Sequence, residues 1–534
     1  MEDRVPLRTD RQPVARVLDV APDEDPTVLG KDRRAYGELR SRRVGTFGDG
    51  TRAFDQRLSS LRVQGHEPHI MPIQQPPRKR SLARRTPTRS NRRSAMEPRP
   101  DDADTSARTI ALAALGHAGG PLRVGGVLAT DLLEQFGSPL YAYDAAVLET
   151  QIAAVQSAFD GQTAVAFALK ANPSLALAAV ARRAGAGAEV ASAGEILLAQ
   201  SAGFEGGQIQ FAGPGKSDED LLTALSAGAR IHLESEREFE RLAVLARGHG
   251  TRPDVAVRVN LNASQSGARL RMADSSSRFG VDRARVPALC RRILDDGSCR
   301  LVGLHQYGGS QAFDAEAWVR SVADLLAVAA ETEQATGHPL LSLNLGGGFG
   351  WPVYDRDPTF DLAAAGRGAL ELLDAAGRLG APREIHLELG RYLAAPAGVF
   401  LTRVVDTKDS GGKRHAVLDG GMHQFGAATG LGAVMRRAYA ILAVDAPDAH
   451  DGEPVTLGGP LCTPADRFGT GLTLPPLRPG DAIAVLHAGA YGLTFSPTRF
   501  LSHPSPAEVL VENGVPRLIR RRGSPADALR DQLP

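Results

Sequence analysis

A chain of 534 residues, 43% apolar and 23% charged, has material for more than one core and points to two or three domains. Its 62 basic residues nearly balance 61 acidic ones, so the net charge of +1 gives no overall reason to expect a nucleic-acid or membrane partner. Cys290, Cys299 and Cys462 show no metal-ligand spacing and no even-numbered secreted framework, no apolar run approaches the ~20 residues of a membrane span, and Met1 to Asp10 lacks a signal-peptide centre, so a cytoplasmic setting is expected.

Residues 1–100 are rich in Arg, Pro, Gln and Ser, without sustained apolar periodicity. The basic cluster from Arg78 to Arg93 repels itself and is expected to stay solvated, as a disordered leader. An arm that binds nucleic acid or anionic lipid is the functional alternative, and a start at Met96 is a third reading. From Leu122 onward the pattern is α/β. Short strand-like runs recur at intervals of roughly 20–45 residues: Ala164–Ala168, Ile209–Phe211, Arg230–Leu233, Val255–Val259, Leu301–His305, Leu341–Asn344 and Glu384–Glu388. Helical spacing fills Ala191–Ala202, Ser235–Arg247 and Ala315–Thr336 between them. Such alternation fits a (β/α)₈ barrel and, equally by periodicity alone, a doubly wound open sheet. After Arg391 strand-like segments separated by Gly, Pro and Asp predict a β domain: Gly398–Asp406, Arg414–Leu418, Glu453–Leu457, Ala482–His487 and Glu508–Glu512.

On a barrel, chemistry gathers where strands end. Lys170 directly follows the run Val165-Ala-Phe-Ala-Leu169. A lysine there either snorkels to the rim or serves as a Schiff-base former, since a charged, unpaired amine cannot be buried. The loop Gly346-Gly-Gly-Phe-Gly350 could let backbone N–H groups approach a phosphate, or could simply be a turn. Glu388-Leu-Gly-Arg391 ends another strand with a carboxylate and a guanidinium, which could also be a surface ion pair. Cys462 lies in Gly458-Gly-Pro-Leu-Cys-Thr-Pro-Ala-Asp466, where an inert buried thiol is the bland reading.

The joint order of these pieces resembles the fold-type III pyridoxal-phosphate decarboxylases, the group of diaminopimelate, ornithine and arginine decarboxylases. The matching segments are Phe167-Ala-Leu-Lys-Ala-Asn172, Glu189-Val-Ala-Ser-Ala-Gly-Glu195, His305-Gln-Tyr-Gly-Gly-Ser-Gln311, Gly346-Gly-Gly348, Glu388-Leu-Gly-Arg391, Asp419-Gly-Gly421, Gly459-Pro-Leu-Cys462 and Gly489-Ala-Tyr-Gly492. The resemblance implies an alanine-racemase-like (β/α)₈ barrel over residues 137–392 and a C-terminal β domain over 393–534. A strand segment from 101–136, near Leu122–Val127, completes that second domain. It also implies a homodimer with shared active sites and pyridoxal 5′-phosphate held by Lys170 as an internal aldimine. Tyr307, Ser310, Gly348, Gly390, Arg391 and Tyr491 match positions around the cofactor. Glu388 matches the acid facing the pyridine nitrogen, which favours the protonated ring. Cys462 matches the proton donor delivered from the partner subunit. Arg391, Thr463, Asp466 and Tyr491 are the expected substrate contacts.

Departures from the family bear on the substrate. Tyr307 stands where a stacking His is common, Glu189 where Asp is usual, and Leu389 where Pro is usual. Diaminopimelate decarboxylases carry Cys-Glu-Ser where this chain has Cys462-Thr-Pro464. They also hold the distal carboxylate with an Arg and a Tyr that are missing from Met422–Gly430. The sequence is closer in these features to the butirosin-pathway decarboxylase, which acts on a glutamyl group carried by a protein. An amino acid other than free diaminopimelate, carrier-bound or otherwise modified, is the expected substrate. A conventional diaminopimelate decarboxylase is the alternative, with an amino-acid racemase and an inactive decarboxylase-like regulator behind it.

Overall fold

Eight short strands with small or polar residues on alternate positions close into a parallel barrel, as the computed structural model shows: Ala164–Ala168 (β1), Gly187–Val190 (β2), Ile209–Phe211 (β3), Arg230–Leu233 (β4), Asp254–Asn260 (β5), Arg300–His305 (β6), Ser342–Gly347 (β7) and Glu384–Leu389 (β8). Residues 106–261, 270–271, 277–377, 383–432 and 437–533 are described, so the expected leader lies outside the described residues. Strand β1 pairs with both β8 and β2, and β4 pairs with β5, which completes the ring. The doubly wound alternative is thereby excluded, because an open sheet leaves two edges unpaired.

Helices cover the outside of the ring. The helix Ala315–Thr336 begins at Asp314, whose side chain accepts from Ala317 N, and ends at Gly337 with φ +68°. Its buried face includes Trp318, Val322, Leu325 and Ala329, at helical spacing. On β8, Leu387 and Leu389 face the helices and are at most 1% exposed, while His386 and Glu388 point into the ring. The same parity puts Ala166, Ala168 and then Lys170 on the inner face of β1. The small alanines leave room above which the lysine can stand.

The second domain is a curved sheet ordered Arg467–Leu474, Glu453–Gly458, Lys413–Leu418, Gly398–Ser410, Leu140–Asp144, Ala507–Glu512, Val515–Arg520. Ala482–Val485 also pairs with Gly398–Ser410. The N-terminal contribution differs from the expected one. Arg123–Val124 and Val127–Leu128 form only a two-stranded hairpin with each other. The strand that enters the sheet is Leu140–Asp144, inside the span expected for the barrel, where it lies antiparallel to Gly398–Ser410 and parallel to Ala507–Glu512. All five of its residues are buried, so both faces need cover that a barrel edge would not give.

The helix Ala107–Ala114 is tied to this body through His487. The His487 Nδ1 accepts from Trp351 Nε1 at 2.9 Å, so its Nε2 carries the proton given to Ala107 O at 2.8 Å. Burial pushes this imidazole down to about 4 from its usual 6.5. The folded state therefore binds fewer protons than the unfolded chain between those values. The resulting stability is present above pH 6.5 and is lost as the pH falls toward 4, at about 1.4 kcal/mol per pH unit. Urea unfolding at pH 7 and pH 4.5 should show that His487→Gln loses less stability on acidification than the wild type. Equal losses would exclude His487 as a contributor.

Candidate active site

At the C-terminal end of the barrel, residues from five separate segments line one pocket: Lys170, then Tyr307 with Ser310, then Gly348, then Gly390–Arg391, and Tyr491. Lys170 sits just beyond β1 on a short 3₁₀ turn and donates to Glu189 Oε2 on β2 at 2.7 Å. Its Nζ lies 5.4 Å from the centre of the Tyr307 ring. Burial disfavours a charged amine here, but Glu189, Tyr307, Tyr491 and Glu388 outweigh it and hold the Lys170 ammonium above its usual range. Burial likewise raises Glu189, which is 2% exposed. The pair is thus a charged or proton-sharing couple whose lysine end reaches the pocket.

The opposite wall consists of two loops fastened together. Ala312 N donates to Gly348 O at 3.1 Å, and Gly350 N donates back to Ala312 O at 2.7 Å. Gln311 completes the join through its side chain, which donates to Trp351 O and accepts from Trp351 N, both at 2.9 Å. Gly348 has φ +76°, and a Cβ there would stand 1.8 Å from Gly309 O, so only glycine permits this approach. Tyr491 reaches in from the second domain, with its backbone N–H on Ala171 O at 2.7 Å. The Arg391 guanidinium lies 4.5 Å from the centre of its ring. The buried Nε of Arg391 has no hydrogen-bond partner among the described residues.

Glu388, 2% exposed, is not in this lining; it lies on β8 two residues before Gly390, which is. It accepts from Asn344 Nδ2 at 2.8 Å, and His305 Nε2 lies 3.3 Å from its other oxygen. Burial alone raises a carboxyl; His305, Lys170 and Arg258 outweigh it and hold Glu388 down to about 2. It therefore stays ionised throughout the physiological range. His232 on β4 packs its ring 4.2 Å from that of His305; its nitrogens make no hydrogen bond among the described residues, and its Nδ1 lies 3.8 Å from Glu388 Oε1. No motif had marked His232, Asn344 or Arg258. Their inward parity was the one available signal, and it becomes readable only once the ring is known to close.

Cys462, Thr463 and Asp466 are not in this lining. They occupy the loop between Glu453–Gly458 and Arg467–Leu474, where Cys462 is exposed; Cys290 and Cys299, in the barrel, are buried. Asp466, expected beside substrate, accepts from Met422 N at 2.6 Å and Leu461 N at 2.8 Å. It is 5% exposed and fastens the Cys462 loop to the turn after Asp419.

The donor set fits pyridoxal phosphate. A lysine on the inner face, a low-lying carboxylate, an aromatic ring and a glycine-lined cup with an unpartnered guanidinium nitrogen are the groups its aldehyde, ring nitrogen, ring face and phosphate require. Fold and site together define a barrel enzyme of the pyridoxal-phosphate class.

The profile described as the pyridoxal-binding domain of pyridoxal-dependent decarboxylases matches residues 145–395. The L-glutamyl-[BtrI acyl-carrier protein] decarboxylase of Niallia circulans is 34% identical over 409 residues, covering 76% of this chain and 96% of that protein. The diaminopimelate decarboxylase of Methanothermobacter thermautotrophicus is 32% identical, covering 77% and 96%. A crystal structure of Helicobacter pylori diaminopimelate decarboxylase with L-lysine superposes with a TM-score of 0.68 at 27% identity, covering 75% and 98%. The chain belongs to the pyridoxal-phosphate-dependent amino-acid decarboxylase family. Among the described residues no helix is long and apolar enough to cross a membrane.

Proposed function

We propose that the enzyme removes the α-carboxylate from an amino acid held on a carrier protein, working as a cytoplasmic homodimer in which each Lys170 pocket is completed by Cys462 of the partner subunit. One observation carries the shared site. The residues expected around the cofactor, apart from Glu388, line one pocket, while the exposed thiol stands on a loop outside that lining. A second copy is what can bring the two together.

Bound pyridoxal phosphate supplies an aldehyde for the substrate amine and a ring that takes up the electrons left by the departing carboxylate. Lys170 would hold the cofactor through its amine, and Glu189, 2.7 Å away, can take up the proton that the ammonium must lose to do so. Glu388, kept ionised by His305, holds a proton at the ring nitrogen. Tyr307 offers an aromatic face where an imidazole is common in the family, and Ser310, Gly348 and Arg391 bind the phosphate or the carboxylate end. Cys462 returns a proton to the substrate carbon.

The carrier reading rests on Thr463-Pro464 after the donor cysteine and on Met422–Gly430, which offers no Arg or Tyr to clamp a distant carboxylate. The Niallia circulans relative, whose name places its glutamyl substrate on a carrier protein, supports it. The diaminopimelate decarboxylases among the relatives favour the second reading, a free diamino acid as substrate. Carbon dioxide release from a panel of free and carrier-attached amino acids separates the two. A carrier-held glutamyl or related group is expected to exceed free diaminopimelate by at least ~10² in kcat/KM, since a site without distal polar contacts gains little from a free zwitterion. Efficient turnover of free diaminopimelate would overturn the carrier reading.

A further inference from the structure

A second cavity, of about 290 Å³, lies in the sheet domain between the segment 498–505 and the C-terminal turn 524–532. Its walls carry the guanidinium groups of Arg499 and Arg530, the imidazole of His503, and the hydroxyls of Ser502, Ser505 and Ser524. Pro504 and Ala528 also line it, but the guanidinium, imidazole and hydroxyl groups are donors of the kind that recognises phosphate. The carboxylate in the wall, Asp527, is already engaged: it accepts from Ser524 N at 2.7 Å and pairs with Arg530. Arg499 makes only a loose pair with Asp531 at 4.0 Å, both of them largely exposed, so its guanidinium is available.

The position of this cavity matters as much as its chemistry. The His503 ring packs 4.9 Å from that of His423, which is fully buried with both nitrogens unpartnered among the described residues. Gln424 Nε2 donates to Pro504 O in the cavity wall at 3.1 Å. His423 and Gln424 follow Met422, whose N–H is one of the two bound by Asp466; the other belongs to Leu461, next to Cys462. One turn therefore holds the cavity on one side and the donor-thiol loop on the other.

We propose that this cavity binds the phosphate of a pantetheine arm that carries the substrate. The inference rests on the carrier reading above. A phosphate anchored beside the Cys462 loop would lead the arm toward the same edge of the pocket that the thiol enters, so the tethered amino acid and its proton donor arrive together. A free diamino acid has no group for such a site.

Equilibrium dialysis of the holoenzyme with 4′-phosphopantetheine, pantetheine and inorganic phosphate tests it. Phosphopantetheine is expected to bind at least ten-fold more tightly than pantetheine at low salt. In an Arg499→Ala/Arg530→Ala double variant with unchanged cofactor absorbance, that preference should shrink to less than two-fold. Equal wild-type affinities, or a preference that survives in the double variant, would overturn the assignment. Inorganic phosphate binding as tightly as phosphopantetheine would also overturn it, by showing an ion site that gains nothing from the arm. Carbon dioxide release from a carrier-held amino acid is measured alongside. Its absence sinks the carrier reading itself, whereas turnover without any phosphopantetheine preference sinks only the cavity.

Discussion

Lys170→Ala is expected to yield a folded protein with no covalently attached cofactor and no measurable turnover. Among the described residues the other buried lysine is Lys216, whose Nζ is already bound by Gly213 O, His232 O and Glu238 at 2.6–2.8 Å. Lys408 and Lys413 are exposed on a hairpin of the sheet domain. The fold should survive because about a third of the Lys170 side chain is already exposed, and because burial favours the neutral form of the Glu189 left behind. Visible absorbance and the mass after borohydride reduction are the measurements. A variant with wild-type absorbance and a reduced covalent adduct would assign the cofactor to another amine. If the variant fails to fold, Lys170→Ala/Glu189→Gln removes the stranded acid and restores the test.

Cys462→Ala should bind cofactor normally yet decarboxylate ~10²–10⁴-fold more slowly, the usual worth of one proton-transfer group. Its product mixture should also shift toward transamination, because a substrate carbon without its donor waits while the proton is taken up elsewhere. Mixing this variant with Lys170→Ala under subunit exchange gives the sharper result. Random exchange makes about half of the dimers hybrids, each with one intact site, so activity should recover to roughly a quarter of wild type. Exchange demonstrated by mass with no recovered activity would show that thiol and lysine act within one chain.

The barrel was legible because its strands are separated by strongly periodic helices, and Ala315–Thr336 is found with the bounds its spacing predicts. The strand Gly187–Val190 was not singled out. Its four residues begin with glycine and include Glu189, a poor strand former on propensity, which is tolerated because it meets Lys170. Arg467–Leu474 and Val515–Arg520 were also missed; their burial patterns are mostly exposed or intermediate, so they carry little hydrophobic signal. At the site, the sequence order of the motifs located the Lys170 pocket. The fastening role of Asp466 was not legible, since its partners are backbone N–H groups of Met422 and Leu461 that no residue type announces.

The strand Leu140–Asp144 has a consequence for how the protein is made. Leu140 is matched in register with Leu401 on one side and Ala507 on the other. A ribosome therefore releases this wholly buried strand long before either neighbour exists, and the entire barrel emerges in the interval. The barrel can close as a unit while the chain is still growing, but the sheet cannot be completed around its own centre until the last strands arrive. A message broken before Ala507 does not encode a smaller enzyme. It encodes a barrel tethered to a naked strand edge, a template for association that quality control would have to clear.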